Sequence, residues 1–295
     1  IKSFPSLNAN YSRKLYELEP DYVFVLDKPS IEEGFFKEVE ELNLPLVWID
    51  HHEVSLPHRE IFYYNPFLND KTSEPVSYLC YQVSDDDADI WLAMIGCIGD
   101  GFFPDFASKF QEKYPDLWGE NISTAFQALY TTEIGKITRI LNFALKDRTS
   151  KVVNMLKFLM HVKSPGEILD EEKAHAILQR YKQVNSKYSK LVEKAKKFAK
   201  GEMLFFQYGG ELSLSADIAN ELSFLYPNKI IVVAYLKGSR ANISLRGRRD
   251  VRKITLEAIK GLENATGGGH KHATGAQVNI EDLPKFKENL ANLIR

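Results

Sequence analysis

The chain has 295 residues, with 38 basic and 40 acidic side chains and a formal net charge of −2. Its length is about twice that of a typical domain, so we expect two domains, each with its own core. The balanced charge excludes a strong global attraction to nucleic acid, so any such contact needs a local basic face. No apolar stretch approaches the roughly 18 residues of a membrane span, and nothing in the sequence indicates a membrane protein.

The two apolar runs nearest the start, residues 22–26 and 46–49, predict buried parallel strands. The first run ends at Asp27 and the second at Asp50. Residues 31–42 have apolar side chains at helical spacing and predict the crossover helix of a βαβ unit. Because ligands bind beyond the carboxyl ends of strands in open α/β sheets, we expect chemistry beside these two acids.

The middle of the chain predicts mainly helices. Residues 87–99 predict an apolar helix that ends at Gly99-Asp100-Gly101, where the glycines allow a sharp turn. Residues 123–200 continue the helical pattern, and residues 170–200 have its clearest apolar stripe. We expect this stretch to be a helical connector.

Cys80 and Cys97 are the only cysteines, and each lies in an apolar stretch. Their spacing matches no metal-binding pattern. Two such residues are typical of buried free thiols in a reducing compartment, so we expect a cytoplasmic protein.

The rest of the chain changes to an α/β pattern. Strands are predicted at residues 203–206, 229–236, 241–245 and 273–279, and helices at 215–224, 254–263 and 283–295. Residues 264–269 predict a glycine-rich turn. We therefore expect a second, smaller α/β domain.

The triplet Asp50, His51 and His52 is the first candidate site. An isolated pair of histidines is more often an ordinary loop feature. Here Asp27 ends the neighbouring strand and Asp100 lies on the glycine-flanked turn, so three carboxylates and two imidazoles can meet at one sheet edge. One imidazole can then bind a metal while its neighbour faces a substrate. Oxygen and imidazole donors without a thiolate suit manganese, or magnesium and cobalt, better than structural zinc.

The second candidate site is the run Gly267, Gly268 and Gly269, which His270 follows. Glycine N–H groups can approach an anion closely because no Cβ intervenes, and the imidazole adds a donor. The alternative is a flexible turn between a helix and a strand. Arg246, at the end of a predicted strand, suits bidentate recognition of a phosphate.

Together these motifs resemble the DHH/DHHA1 phosphoesterase superfamily, which includes RecJ-type exonucleases and the oligoribonuclease/pAp-phosphatase group. The matching segments are Asp27, Asp50-His51-His52, Asn65-Pro66, Ile98-Gly99-Asp100, Ser244-Leu245-Arg246 and the run from Gly267 to Ala276. The resemblance covers nearly the whole chain and favours a compact archaeal-type nuclease. It implies an α/β fold in which a parallel-sheet DHH domain (residues 1–145) is joined by a helical connector (146–201) to a smaller α/β DHHA1 domain (202–295).

The resemblance also implies a role for each candidate residue. Asp27 would bridge two Mn²⁺ ions, for which Mg²⁺ or Co²⁺ could substitute, and His51 and Asp100 would complete the ligand sets. His52 would contact the scissile phosphate, and Asp50 would support the histidine pair; these two are the candidate catalytic residues. The terminal nucleotide or its phosphate would be held by Arg246, Gly267, Gly268, Gly269 and His270.

One part of the family pattern is not present. A histidine followed by an Asp-x-Asp pair should precede Asp27, and residues 1–26 contain no such pattern. The chain begins with Ile1 rather than Met. We therefore expect a longer natural chain to supply the remaining metal ligands, and residues 1–295 alone to be weakly active or inactive.

The favoured function is a manganese-dependent exonuclease that acts on single-stranded DNA or RNA, or on short oligonucleotides, by two-metal hydrolysis, because a grip on one chain end leads to cutting from that end. One alternative is a pAp-type nucleotide phosphatase. Another is a catalytically silent replication or repair scaffold, which the incomplete metal pattern supports and the intact triplet opposes. The expected partners are single-stranded nucleic acid and a replication or repair protein; the oligomeric state stays open.

Overall fold

The computed structural model describes residues 6–53, 61–69 and 73–294. The chain divides into two compact units, Ile1–Leu178 and Gln179–Arg295. The domain boundaries at residues 145 and 201 stay predictions. Across the described ranges, no helix has both the length and the apolar character needed to cross a bilayer.

The first unit starts with short strands and ends in a layer of helices. Its strands are β1 (Ser6–Leu7), β2 (Val23–Leu26), β3 (Ser30–Ile31), β4 (Leu46–Ile49) and β5 (Phe62–Tyr64). Its helices are α1 (Arg13–Leu18), α2 (Glu33–Glu41), α3 (Val76–Ser84), α4 (Ile90–Gly99), α5 (Ala107–Lys113), α6 (Pro115–Trp118), α7 (Ala125–Thr131), α8 (Glu133–Ala144) and α9 (Thr149–Leu159). The long helix α10 (His175–Lys196) begins in this unit and ends in the second.

The predicted βαβ unit is confirmed. Strands β2, β4 and β5 form a parallel sheet in that order, and α2 connects the first two. Val25 and Trp48 are buried in one core with Phe35 of α2. The prediction that the first strand is buried was wrong for its other face, because Phe24 is 62% exposed. On that face Ile49 packs against the cluster that contains Tyr78 of α3, whereas Phe24 stays mostly exposed within the described part of the chain.

The second unit is a five-stranded mixed sheet with helices on both faces. Its elements are β6 (Met203–Gly209), α11 (Ser215–Leu225), β7 (Ile230–Lys237), β8 (Arg240–Arg246), α12 (Val251–Ala258), β9 (Thr266–His270), β10 (Ala273–Asn279) and α13 (Leu283–Ile294). The strand order is β6-β7-β8-β10-β9, and only β6 and β7 are parallel. The core between the sheet and the helices α12 and α13 contains Ile243, Val251 and Phe286. Arg295, predicted to end the last helix, lies outside the described residues.

The predicted glycine-rich turn at residues 264–269 was wrong. Residues from Thr266 onward form the edge strand β9, which pairs antiparallel with β10 from Thr266–Gln277 to His270–Ala273. Glycine disfavours strands on average, but pairing with β10 satisfies those backbone groups of this segment that face β10. The candidate grip residues are thus part of a sheet rather than of a turn.

Candidate functional site

Two elements of the first unit place carboxylates at the end of strand β4. Asp27 directly follows β2; its backbone N–H donates to the carbonyl of Ile49 at 3.0 Å, and it adopts a left-handed conformation with φ 57°. This conformation is uncommon outside glycine, although aspartate tolerates it better than most residues. Asp100 is the residue at which α4 ends, with its N–H bonded to carbonyls of the last turn.

Both carboxylates face the same imidazole nitrogen. His51 Nε2 lies 3.4 Å from Asp27 Oδ1 and 3.6 Å from Asp100 Oδ2. One potential ligand atom from each of Asp27, His51 and His52 falls within a group no wider than 4.8 Å. The structure therefore brings together four of the five residues that the sequence singled out at this sheet edge.

The fifth residue, Asp50, is turned inward. It is fully buried, and its two carboxylate oxygens accept from the ring Nδ1–H of His52 at 2.9 Å and from the backbone N–H of His52 at 3.0 Å. Asp50 therefore does not face the gap between the other carboxylates. It fixes the orientation of His52 and leaves the Nε2 atom of that ring to face outward.

Asn65 holds the loop that carries His52. The side-chain amide donates to the carbonyl of His52 at 2.9 Å and to the hydroxyl of Tyr63 at 2.8 Å, and its oxygen accepts from the N–H of Phe67 at 3.1 Å. Asn65 is buried. Both N–H groups and the oxygen of the Asn65 amide therefore have partners. These bonds fix the Asn65 side chain, which in turn holds the backbone at His52.

Ser73 fixes the proton position on His51. The Ser73 hydroxyl donates to the carbonyl of His51 at 3.1 Å, and the same oxygen lies 3.1 Å from His51 Nδ1. With its only proton already donated, the hydroxyl oxygen must accept from Nδ1–H. In the neutral ring, Nε2 then carries a lone pair that faces the two carboxylates, which is the arrangement that a metal ligand needs.

The charges in this cluster shift the pKa values of its members. When His51 is protonated, its hydrogen bond to Asp27 lowers the pKa of that carboxyl group. Burial works against protonation of His51, but the carboxylates of Asp27 and Asp100 outweigh it and raise the His51 pKa. The hydrogen bond to Asp50 raises the pKa of His52. The site therefore stabilises positive charge at this position.

The donor set fits a divalent ion. Two atoms that each lie about 2.1 Å from one ion are separated by about 3 to 3.4 Å, depending on the bond angle. The separations from His51 Nε2 to Asp27 and Asp100 are close to this range. The carboxylates are about half exposed, which leaves room for exchangeable ligands. Oxygen and nitrogen donors without sulfur suit Mn²⁺ or Mg²⁺.

We expect Ser73→Ala to weaken Mn²⁺ binding by about tenfold, since residues that orient a metal-binding histidine typically contribute this much. Without the hydroxyl, the His51 proton is no longer confined to Nδ1. Paramagnetic resonance titration of Mn²⁺ measures the affinity, and ¹⁵N chemical shifts of His51 report the tautomer. Ser73→Thr keeps a hydroxyl and restores both, whereas unchanged affinity in Ser73→Ala would contradict the assigned role.

A matched control is Ser84→Ala. The Ser84 side chain is exposed, and its hydroxyl donates to the carbonyl of Tyr81 in the same helix, α3. This variant removes the same atom at a distance from the cluster and should leave the Mn²⁺ affinity unchanged.

In the second unit, the sheet register aligns the candidate grip residues. Arg246 on β8 lies opposite Ala273 on β10, which lies opposite His270 on β9. Residues that are directly opposite point to the same face. Adjacent strands are about 4.8 Å apart, so Arg246 and His270 lie about 10 Å apart across the sheet. Gly268 is two residues before His270 and belongs to the same face.

This face is partly covered by α11. The Ser244 hydroxyl donates to Ser215, the first residue of α11, at 3.0 Å. Arg246 Nε donates to Asn220 of the same helix at 2.6 Å, and its Nη1 donates to the carbonyls of Leu245 and Thr274. These bonds hold the guanidinium between α11 and β10. Strand β10 pairs with β9 (Thr266–His270), which we name the glycine strand.

The three glycines differ in their surroundings. A Cβ at Gly267 would lie 3.2 Å from side chains of Thr255 and Ile259 on α12. Gly269 has a φ of 128°, and a Cβ there would lie 2.7 Å from the carbonyl oxygen of Ala273. A Cβ at Gly268 would meet no described atom within 4 Å. Packing and backbone conformation therefore require glycine at position 269, a Cβ at Gly267 would be crowded, and Gly268 leaves a bare backbone on the open face.

Sequence reasoning missed Ser73. It follows His51 by 22 residues in a stretch without a regular pattern, so no periodicity or spacing could have indicated the contact. Two neighbouring arginines form hydrogen bonds within the second unit: Arg248 donates to Asn228, and Arg249 donates to the carbonyl of Ile294 at the end of α13.

Comparison with known proteins gives one family match and several structural neighbours. Residues 199–295 match the family model of the DHHA1 domain. No curated protein is significantly similar in sequence to the chain.

Three solved structures have a similar fold. RecJ in complex with Mn²⁺ from Thermus thermophilus is 14% identical with a TM-score of 0.61; the match covers 97% of this chain and 46% of that protein, so this chain spans less than half of its length. A DHH domain described as belonging to a member of a family of ribosomal proteins is 15% identical with a TM-score of 0.64, over 99% of this chain and 76% of that one. An exonuclease RecJ bound to manganese is 14% identical with a TM-score of 0.52, over 95% and 77%.

Proposed function

We propose that this chain, which carries a DHHA1 domain and has the two-domain fold of the DHH/DHHA1 superfamily, is a divalent-metal-dependent phosphoesterase that removes nucleotides from an end of single-stranded nucleic acid. The observation that supports this most is the meeting of Asp27, His51 and Asp100 at one gap. Mn²⁺ is the ion that we propose, and RecJ structures of this fold were determined in complex with it.

In this proposal Asp27, His51 and Asp100 bind the ion. A bound divalent ion lowers the pKa of a coordinated water and offsets the charge that develops on a phosphate during attack. The prediction of two ions stays a prediction, because the described donors gather around one gap.

His52 contacts the phosphate in this proposal. Asp50 accepts from its Nδ1–H, so Nε2 is the atom that faces outward. Since the same hydrogen bond raises the His52 pKa, the ring holds a proton at Nε2 more readily than a free histidine does. That proton can be donated to a phosphate oxygen, and the buried carboxylate stabilises the imidazolium.

The glycine strand supplies end recognition. β9 is an edge strand, so every second one of its N–H groups points away from the sheet. Together with Arg246 and His270 on the open face, these donors suit the phosphate of a terminal nucleotide. Recognition of an end favours stepwise removal of nucleotides over internal cutting.

The test uses the 295-residue protein, Mn²⁺ and an end-labelled oligonucleotide of about ten nucleotides, beside pAp as a second substrate. Mn²⁺ binding is measured first, by titration, because it does not depend on turnover. We expect wild type to bind the ion and to release mononucleotides slowly from one end, because residues 1–26 lack the pattern that would supply further metal ligands. His52→Ala should keep ion binding and lose hydrolysis by about 100-fold or more.

Two results would contradict the proposal. If wild type does not bind Mn²⁺ at millimolar concentration, the cluster is not a metal site. If phosphate is released from pAp but no nucleotide from the oligonucleotide, the protein is a nucleotide phosphatase.

A further inference from the structure

Helix α10 carries a run of cations. In this helix the basic residues far outnumber the acidic ones: they are Arg180, Lys182, Lys187, Lys190, Lys194 and Lys196, against Glu193. The whole chain has a formal net charge of −2. Positive charge is therefore concentrated on this element.

Four of these residues form one stripe, which we name the α10 basic stripe: Arg180, Lys187, Lys190 and Lys194. At 3.6 residues per turn they lie within about 80° of one another around the helix axis. The buried residues Val184, Tyr188 and Val192 lie on a different side. The stripe is about 21 Å long, at 1.5 Å per residue.

The stripe borders a pocket of 380 Å³ in the second unit. The pocket is lined by Arg180, Gln183, Ser186, Lys187, Lys190 and Leu212. Within the described part of the chain, no acidic residue is among the lining residues, and the amide and the hydroxyl add neutral donors. Glu211 pairs with Lys187 at 3.4 Å, but both side chains are more than half exposed, and such pairs contribute little.

The pocket lies close to the start of α11. Leu212 precedes Ser215 by three residues, and Ser215 is the α11 residue that bonds to Ser244 on the open sheet face. The hydroxyl of Tyr188, on α10, donates to Glu221 of α11, which fixes the two helices side by side. Helix α11 is thus bonded to α10 through Tyr188 and to β8 through Ser244 and Arg246, and β8 belongs to the same sheet as the glycine strand.

We propose that the α10 basic stripe binds the phosphate backbone of a single-stranded nucleic acid whose terminal nucleotide is held at the glycine strand. This inference rests on the proposed function for the identity of the polymer. Its physical basis is separate: a row of cations about 21 Å long can follow several successive phosphates, whereas a mononucleotide has no group that reaches it.

The stripe also predicts how binding depends on the length of the strand. A dinucleotide or trinucleotide is confined to the glycine strand, so its affinity does not involve α10. A longer strand adds contacts with the lysines and releases counterions, so its affinity rises with length and falls with salt. The protein therefore distinguishes polymers from nucleotides through this helix.

The experiment compares two triple variants by fluorescence anisotropy in EDTA, where no hydrolysis occurs. The test variant combines Lys187→Gln, Lys190→Gln and Lys194→Gln. The control variant combines Lys237→Gln, Lys260→Gln and Lys285→Gln, which removes the same charge from other elements of the same unit. Circular dichroism and thermal denaturation verify that both are folded.

For a labelled single strand of about 12 nucleotides, we expect the test variant to bind about tenfold more weakly than wild type at about 100 mM salt. The slope of log affinity against log salt concentration should be smaller in magnitude by about 2. Three lysines are removed, and each contributes about 0.7 when it contacts a single-strand phosphate. A trinucleotide should bind wild type and test variant equally. The control variant should stay within about threefold of wild type on both ligands.

Equal weakening in the two triple variants would overturn the proposal, because net charge alone would then explain the binding. An unchanged affinity of the test variant for the longer strand would overturn it as well. Stronger binding of wild type to phosphatidylserine vesicles than to the longer strand would assign the stripe to a membrane surface instead. The anisotropy assay contains no metal, so it tests the stripe even if the protein does not hydrolyse nucleic acid. A negative result for the stripe likewise does not contradict the proposed hydrolysis.

Discussion

His51→Ala lowers Mn²⁺ affinity on the order of 100-fold and abolishes measurable hydrolysis. The substitution removes the nitrogen that faces both Asp27 and Asp100. The two carboxylates that remain repel each other, and no imidazole is left to bind the ion. The number of protein ligands thus falls from three to two. Titration calorimetry of the metal-free protein with MnCl₂ measures the effect directly.

The histidine is buried, so a folding defect must be separated from loss of the ligand. Asp100→Asn serves this purpose, because its side chain is about half exposed; it should also weaken Mn²⁺ binding while the thermal midpoint in EDTA stays at the wild-type value. His161→Ala, at an exposed position outside the cluster, should bind Mn²⁺ like wild type. Wild-type affinity in both His51→Ala and Asp100→Asn would show that the cluster is not the metal site.

Gly269→Ala should destabilise the fold, whereas Gly268→Ala should weaken ligand binding. Gly269 has a φ of 128° and no room for a Cβ, so its substitution should lower the free energy of unfolding by about 2 to 3 kcal/mol. Gly268 has open space, so its substitution should change stability by less than about 0.5 kcal/mol. The added methyl group nevertheless projects from the face of Arg246 and His270, where it keeps a phosphate from the backbone.

Urea unfolding measures the first effect, and titration with a 5′-phosphorylated dinucleotide in EDTA measures the second. We expect Gly268→Ala to weaken dinucleotide binding by about tenfold or more, the equivalent of about one charge-assisted hydrogen bond. Normal binding by a stable Gly268→Ala protein would exclude this strand as the nucleotide site.

The fold could be predicted largely because the apolar patterns are strong. The runs that became β2 and β4 are short, β-branched or aromatic, and separated by an amphipathic helix, which leaves few topologies. Strand β9 could not be predicted, since its three glycines disfavour strands and their conformation depends on the register with β10. The exposure of Phe24 was missed for a related reason: a continuous apolar run does not reveal whether one face is left uncovered.

The residues of the candidate metal site were identified because parallel strands end at one edge. That rule placed Asp27 beside His51 without any knowledge of side-chain geometry. It could not show that Asp50 turns inward to His52, since adjacent residues at a strand end differ only in rotamer and backbone turn. The contact from Ser73 joins residues 22 positions apart in the sequence, which no local pattern encodes.

The two candidate sites are each built within one compact unit. Asp27, His51 and Asp100 belong to the first unit, and Arg246 and Gly268 belong to the second. None of the hydrogen bonds that orient Ser73 with His51, or Arg246 with Asn220, crosses from one unit to the other. In the proposed function, the part that recognises a substrate can therefore change in evolution without change in the part that holds the metal ion.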